Sequence, residues 1–223
     1  MQAGLERTRR LLDLGLDLRT RVLLVLAAVV LTAVAIFPLW SLTMFAPQYP
    51  QGLRLNIYAF ELVGGNGGQD LKEINLLNHY IGMRDLAAAD FTEFYWIPFV
   101  VGALALLTLR AAVFGRMEHL VDVLVLNGYF AAFSLWSFAH KLYLYGHELS
   151  PSAAVKVAPF MPPVFGGRQI ANFEVYSYPG LASYALGAAM LLLIVAAVLT
   201  AWNGRRAWRE APVSNLRQQQ VLS

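Results

Sequence analysis

The chain has no cysteine among its 223 residues. That excludes disulfides, thiolate metal sites and haem attached through Cys-x-x-Cys-His. It is also poor in charge. Only 14% of its residues are Asp, Glu, Lys or Arg, whereas ordinary soluble domains carry about 25%. There is no hydrolase motif and no phosphate loop. Gly64-Gly65-Asn66-Gly67-Gly68 reads as a flexible turn, since no strand-Gly-helix unit or Lys-Ser/Thr follows it. The net charge of +3 lies mostly in the two ends of the chain and does not point to nucleic acid.

What fills the space is apolar: 58% of the residues. A bilayer-spanning helix needs about 20 mostly apolar residues. Four runs qualify, at about 22–45, 94–109, 120–139 and 181–202. The second is short and is expected to begin earlier or to tilt. The first follows a basic segment, but it is long for a secretory signal and lacks a clean cleavage site, so it is expected to remain as an anchor. The fold class expected is an all-α membrane protein: four transmembrane helices, two structured extracytoplasmic loops, and cytoplasmic N and C termini.

Lys and Arg concentrate on cytoplasmic segments. Five Arg precede the first run, Arg110 and Arg116 occupy the turn between the second and third, and Arg205, Arg206, Arg209 and Arg217 follow the fourth. This orients the chain in a bacterial cytoplasmic membrane, multi-pass, with large loops at about 46–93 and 141–180 on the periplasmic side. Residues 1–21 mix Leu with Arg and Asp, as an amphipathic helix on the inner leaflet does. Residues 22–209 form the membrane domain. Residues 210–223 read as a disordered cytoplasmic tail. The aromatics Phe94, Tyr95, Trp96, Tyr143, Tyr145, Tyr176 and Tyr178 suit an interfacial belt.

The first loop contains alternation over 53–60, the period of a half-buried strand. Asp70 to His79 then reads as a short helix with Asp70 as N-cap. If that helix continues through Gly82, His79 and Met83 share one face at i,i+4. Imidazole with thioether is a soft pair that suits Cu(I). In the second loop His140 and His147 are two turns apart, and Gly146 suggests that the helix stops just before His147. His79, Met83, His140 and His147 are therefore the candidate metal ligands and copper the candidate cofactor. The alternative is that these histidines are interfacial and structural. Met161 sits in a proline-rich segment, 157–167, stiff and extended, and is read as packing. No side chain stands out as catalytic, so the chain is not expected to act as an enzyme on its own.

Inside the spans, Asp122 lies near the cytoplasmic interface within reach of Arg110 or Arg116. Asn127 lies deeper, with a neighbouring helix as its expected partner. Bis-His haem is not expected: His119 and His140 sit about 30 Å apart along one helix. Small residues along the start of the fourth span (Gly180, Ala182, Ser183, Gly187, Ala188, Ala189) permit close docking of a partner.

The segments Glu73 to Met83, Tyr145 to Leu149, Pro159 to Gly166 and Gln169 to Phe173 resemble a group of bacterial multispanning proteins associated with nitrous-oxide-reductase and other copper-enzyme gene clusters. The resemblance covers about 49–187. It implies a copper-related or respiratory role, with His79, Met83 and His147 at the matched positions. The partners to expect are the lipid bilayer, other membrane subunits and a periplasmic copper protein. Two functions follow: copper handling, or a non-catalytic accessory subunit of a larger membrane complex.

Overall fold

A computed structural model of the chain describes residues 2–221, with side chains at 6 and 8–206. The elements in chain order are α1 (Gln2–Leu12), α2 (Leu18–Leu31), β1 (Trp40–Ala46), β2 (Tyr49–Ile57), β3 (Leu62–Gly64), α3 (Gln69–Tyr80), α4 (Glu93–Phe114), α5 (Met117–His147), β4 (Gly166–Ile170), β5 (Phe173–Pro179) and α6 (Leu181–Val221). Four helices are long and apolar enough to cross a membrane: Leu18–Ala35, Glu93–Phe114, Met117–His147 and Leu181–Arg206. The multi-pass membrane reading stands on these. The tail expected at 210–223 lies outside the fully described residues.

The all-α expectation needs correction. The five strands form one antiparallel sheet of order β3-β2-β1-β5-β4. The first apolar run, taken as one helix over 22–45, is two elements. Its helical part ends at Ala35, and β1 begins at Trp40. Pro38 is the physical reason, since it has no N–H to give a helix and restricts the residue before it. Beyond it, Trp40-Ser41-Leu42-Thr43-Met44 alternates as a strand does. The second span starts only one residue early, at Glu93, and gains its length at its far end, Phe114.

The chain divides into two compact units. One comprises Met1–Val30, Ala103–Gly128 and Ala188–Ser223, the other Leu31–Gly102 and Tyr129–Gly187. The first is helical, with Leu24, Ala27, Ala28, Ala111, Leu120, Leu193 and Ala196 in its interior. Asp17 caps α2, accepting from the backbone N–H of Thr20 at 2.8 Å. The α4–α5 turn is tied to the segment after α1, with Leu16 N donating to Gly115 O at 2.8 Å and Met117 N to Leu14 O at 2.9 Å. Gly115 sits at φ +63°, a conformation that strains any L side chain, with the Arg21 guanidinium against it. Three buried polar residues in this unit bond back within their own helix. Thr108 Oγ1 donates to Leu104 O (2.7 Å), Thr200 Oγ1 to Ala196 O (2.9 Å), and Asn127 Nδ2 to Val123 O (2.9 Å). Asn127 thus bonds its own helix, where a neighbouring helix was expected. Asp122 is exposed, and Arg116 pairs with Glu118 at 3.1 Å.

The second unit carries the sheet. Leu42 and Met44 on β1 lie opposite Leu55 and Leu53 on β2, and opposite Ser177 and Val175 on β5. This one face, with Ile170 and Phe173, packs against Ile74, Leu77 and Ile81. The α3 expectation at 70–79 holds in type and place, but its cap differs. The N-cap is Gly68 in a left-handed conformation. Asp70 is instead buried in the first turn, accepting from Arg54 N and Asn66 Nδ2, each at 2.9 Å. A carboxylate there also suits the positive end of the helix. The expected strand at 53–60 is β2, displaced toward the N-terminus.

The proline segment and the small residues at the start of α6 turn inward. Phe160 N donates to Gly146 O at 3.0 Å, and a Cβ on Gly146 would come 2.0 Å from Phe160 O. Ala182 is fully buried. Ser183 Oγ donates to Leu39 O at 2.6 Å, and a Cβ on Gly180 would come 2.1 Å from Pro38 O. The proline segment and the first small residues, Gly180, Ala182 and Ser183, therefore pack within this unit, while Gly187 and Ala188 are exposed.

Candidate functional site

The four candidate metal ligands come first. α3 ends at Tyr80, not beyond Gly82. Gly82 N donates to His79 O (3.1 Å) and Met83 N to Asn78 O (2.8 Å), with Gly82 at φ +82°. This is the Schellman closure, in which a left-handed glycine lets the chain fold back over the last turn. It sends Met83 inward against the hydrophobic core and leaves His79 exposed. The pair expected on one helical face is thereby split.

On the second loop the helix does not stop at Gly146; α5 runs to His147. His140 stacks on Trp136 at 5.4 Å, and His147 on Tyr143 at 3.8 Å. His147 Nδ1 lies 2.9 Å from Tyr143 O. A carbonyl only accepts, so Nδ1 is the donor in this contact. Seven residues of helix separate the two rings by about 10 Å, too far for one ion that takes its ligands at about 2 Å. Among the described residues, no three of His, Cys, Asp and Glu gather in a group that could hold a metal.

What the second unit does contain is a cavity of about 70 Å³. Leu42, Met44 and Leu55 from the sheet, Ile74 and Asn78 from α3, and Phe138 and Leu142 from α5 line it, together with Met83, Phe91 and Tyr145. The wall is apolar because the inward face of each strand and the inward stripe of α3 meet there. Asn78 is the exception. It is 1% exposed, and among the described residues neither its Oδ1 nor its Nδ2 has a hydrogen-bond partner. A buried polar group left this way costs about 1–3 kcal/mol. Ser134 Oγ is also buried without a partner, but Ser134 does not line the cavity.

Lys141 and Tyr145 line the cavity as well, but their polar ends are engaged elsewhere. Lys141 Nζ donates to Asp90 O and lies 3.2 Å from Glu93 Oε2. Glu93 Oε1 accepts from Ser137 Oγ at 2.6 Å. Tyr145 OH donates to Asp90 Oδ2 at 3.2 Å, and the Arg84 guanidinium sits over its ring at 5.4 Å. These bonds clamp the 84–93 segment onto α5. Tyr145, read as an interfacial aromatic, is 2% exposed. Its ring is wall material, and an aromatic of that size is buried readily once its hydroxyl is satisfied.

On the far side of α3, Tyr49 OH donates to Glu73 Oε2 and Gln69 Nε2 donates to Glu73 Oε1 at 2.9 Å. The Tyr49 hydroxyl, and after it the Gln69 amide, hold the Glu73 carboxyl below its ordinary range. The same bond raises the Tyr49 phenol.

Sequence reading placed the α3 helix, but set Met83 beside His79 on its face and passed over Asn78 and the cavity. The signal was present in Ile74, Leu77 and Asn78, the buried stripe of a helix with one polar member. No family model matches the chain, and neither does any curated protein or solved structure.

Proposed function

We propose that the chain is a non-catalytic accessory protein of a bacterial cytoplasmic-membrane complex, and that its sheet unit holds a small ligand. Both chain ends face the cytoplasm and the sheet unit faces the periplasm. The distribution of Lys and Arg supports this orientation. The observation that carries the ligand reading is the apolar cavity of about 70 Å³ between the sheet, α3 and α5, with the Asn78 amide, unpaired among the described residues, buried next to it. Buried polar groups are paired in nearly all native structures, and one that is not calls for a partner from outside the chain.

Mild-detergent purification from the host, followed by native mass spectrometry, tests both halves. Other subunits are expected to travel with the chain. A small retained mass is expected in the wild type and not in Leu55→Phe, which fills the cavity. A free monomer retaining nothing would refute the proposal. Orientation is read separately. The chain has no cysteine, so a single cysteine introduced at Gly67 should react with a membrane-impermeant maleimide in intact spheroplasts.

A second reading, copper handling with delivery to or from a periplasmic copper protein, draws support from a different pair than the histidines. The thioethers of Met44 and Met83 line the same cavity, and thioethers select Cu(I). Anaerobic titration with Cu(I) distinguishes two sites: loss of binding in Met44→Leu or Met83→Leu places it at the cavity, and loss in His79→Ala or His147→Ala places it at the surface.

A further inference from the structure

We infer that one rim of the sheet is itself seated in the bilayer, with Tyr58, Phe60, Phe165 and Tyr178 at the headgroup–acyl boundary of the adjoining leaflet. The partner is lipid. The contact does not depend on whether the cavity holds a ligand, or on which side of the membrane the sheet lies.

Strand pairing shows which rim this is. Trp40 lies opposite Ile57 on β2 and Pro179 on β5. Leu39 N donates to Ile57 O at 2.8 Å, Gly180 N to Leu39 O at 2.8 Å, and Ala182 N to Pro38 O at 3.0 Å. These bonds tie the start of β1 and the ends of β2 and β5 to the place where two spans meet the sheet, Leu18–Ala35 and Leu181–Arg206. β2 runs back toward that place. Its turn into β3 is closed by Tyr58 N donating to Glu61 O at 2.9 Å, which leaves Ala59 and Phe60 at the tip. Two residues of turn carry the tip about 7 Å past Ile57, toward the span ends. At the other edge of the sheet Gly166 lies opposite Ser177, and the preceding Phe165 meets the Tyr178 ring edge-on at 5.4 Å. In the order β3-β2-β1-β5-β4, Phe60 and Phe165 stand at opposite edges, about 19 Å apart across four strand spacings.

The two rims differ in what they expose. Phe60 is 44% exposed, Tyr178 46% and Phe165 69%. The far rim turns at Pro47-Gln48, Gly65-Asn66-Gly67 and Ala171-Asn172, and among the described residues no large hydrophobic side chain is exposed there. Water on all sides gives a sheet no reason to sort its aromatics by rim. A bilayer does, because aromatic rings collect at its interface with the ring in apolar surroundings and any hydroxyl in water. The aromatic rim also continues the apolar surface of the span ends, where Ile36, Phe37, Leu181 and Tyr184 are exposed. Two features set the depth. Glu61 is exposed beside Phe60, and its carboxylate stays in headgroup water. β3 and β4 are edge strands, and an open edge is not tolerated in hydrocarbon. The rim therefore stops at the boundary, the level about 5–10 Å deep where apolar side chains of interfacial elements sit.

The chain has no cysteine, so single labels can be placed cleanly on the full chain in lipid nanodiscs. Nitroxides on Phe60→Cys and Phe165→Cys report the aromatic rim, and those on Gln48→Cys and Asn172→Cys the far rim. Power-saturation EPR compares oxygen, which concentrates in lipid, with a neutral nickel chelate, which stays in water. Oxygen is expected to be the stronger relaxant at 60 and 165, and the chelate at 48 and 172. The wild-type chain gives a second reading that no substitution disturbs. A phospholipid with a diazirine on an upper acyl carbon should tag peptides spanning 58–61 and 163–166 and spare 47–52. The chelate dominating at all four sites would overturn the inference, as would tagging confined to the helices. Neither reagent reaching 60 and 165 would also overturn it, and would assign this rim to a protein neighbour.

Discussion

Asn127 in the helical unit and Asn78 in the sheet unit are the same residue type, both buried, both inside α-helices. Asn127 turns its amide onto Val123 O, four residues back. Asn78 has Ile74 at the equivalent position and does not do so. The carbonyl four residues back is available to any helical Asn, Ser or Thr at small cost, and Thr108 and Thr200 also use it. The helical unit thus closes its polar groups locally, as a segment with no water around it must. The sheet unit closes Asp70 and Ser177 with partners more than ten residues away and, among the described residues, leaves the Asn78 amide and the Ser134 hydroxyl unpaired. That difference separates a unit whose buried asparagine is closed by its own helix from one whose buried asparagine is not.

The comparison can be broken at several points. The largest effect is expected from Leu55→Ala. Leu55 is 2% exposed, and the loss should be about 2–5 kcal/mol, read from thermal unfolding by circular dichroism in nanodiscs. A cost under about 1 kcal/mol would mean that the sheet unit lacks a packed core. Next, Gly146→Ala should cost about 1–3 kcal/mol or more through overpacking, because its new methyl would meet Phe160 O at 2.0 Å. Gly128→Ala is its counterpart in the helical unit, where the nearest atom is Met190 Cε at 3.7 Å. It should be neutral or gain about 0.5–1 kcal/mol from the better helix former.

Asn78→Leu is then expected to stabilise the unliganded protein by about 1–2 kcal/mol, by removing an unpaired amide. Asn127→Leu should give no such gain, since its amide is paired. Equal responses would erase the distinction between the two asparagines. The smallest effect concerns Tyr49→Phe. Glu73 is held below its ordinary range chiefly by the Tyr49 hydroxyl. A depressed carboxylate contributes stability above its unfolded value of about 4.3, and loses it as pH falls through its folded value. The wild type should therefore be more stable than the variant near pH 7. The two melting temperatures should converge below pH 4. A constant gap across that range would assign the contact to packing.

Much of this was legible in the residues. Long apolar runs have one physical meaning, because a bilayer is the solvent that tolerates them, and three of the four were located without their neighbours. The α3 helix and a strand at 53–60 were also readable from local periodicity. The first span misled because periodicity cannot separate a buried helix from a buried strand in a continuous apolar run. Pro38 and the Trp-Ser-Leu-Thr-Met alternation were the signals to weigh. The β4–β5 hairpin was hidden in a similar way: Phe173-Glu174-Val175-Tyr176-Ser177-Tyr178 alternates, yet its tyrosines also suit a membrane interface.

The absence of cysteine, the scarcity of charge and the four apolar helices belong to the sequence by itself, because each is a property of composition and short-range order. The fate of the histidines and of Asn78 belongs to the tertiary structure alone. A left-handed turn at Gly82 parts His79 from Met83, and five strands drawn from both ends of the chain meet α3 and α5 around one unpaired amide. The turn at Gly82 is local, but which side chains meet across the sheet is decided by pairings such as Leu42 with Ser177, more than a hundred positions apart, and no local pattern carries that information.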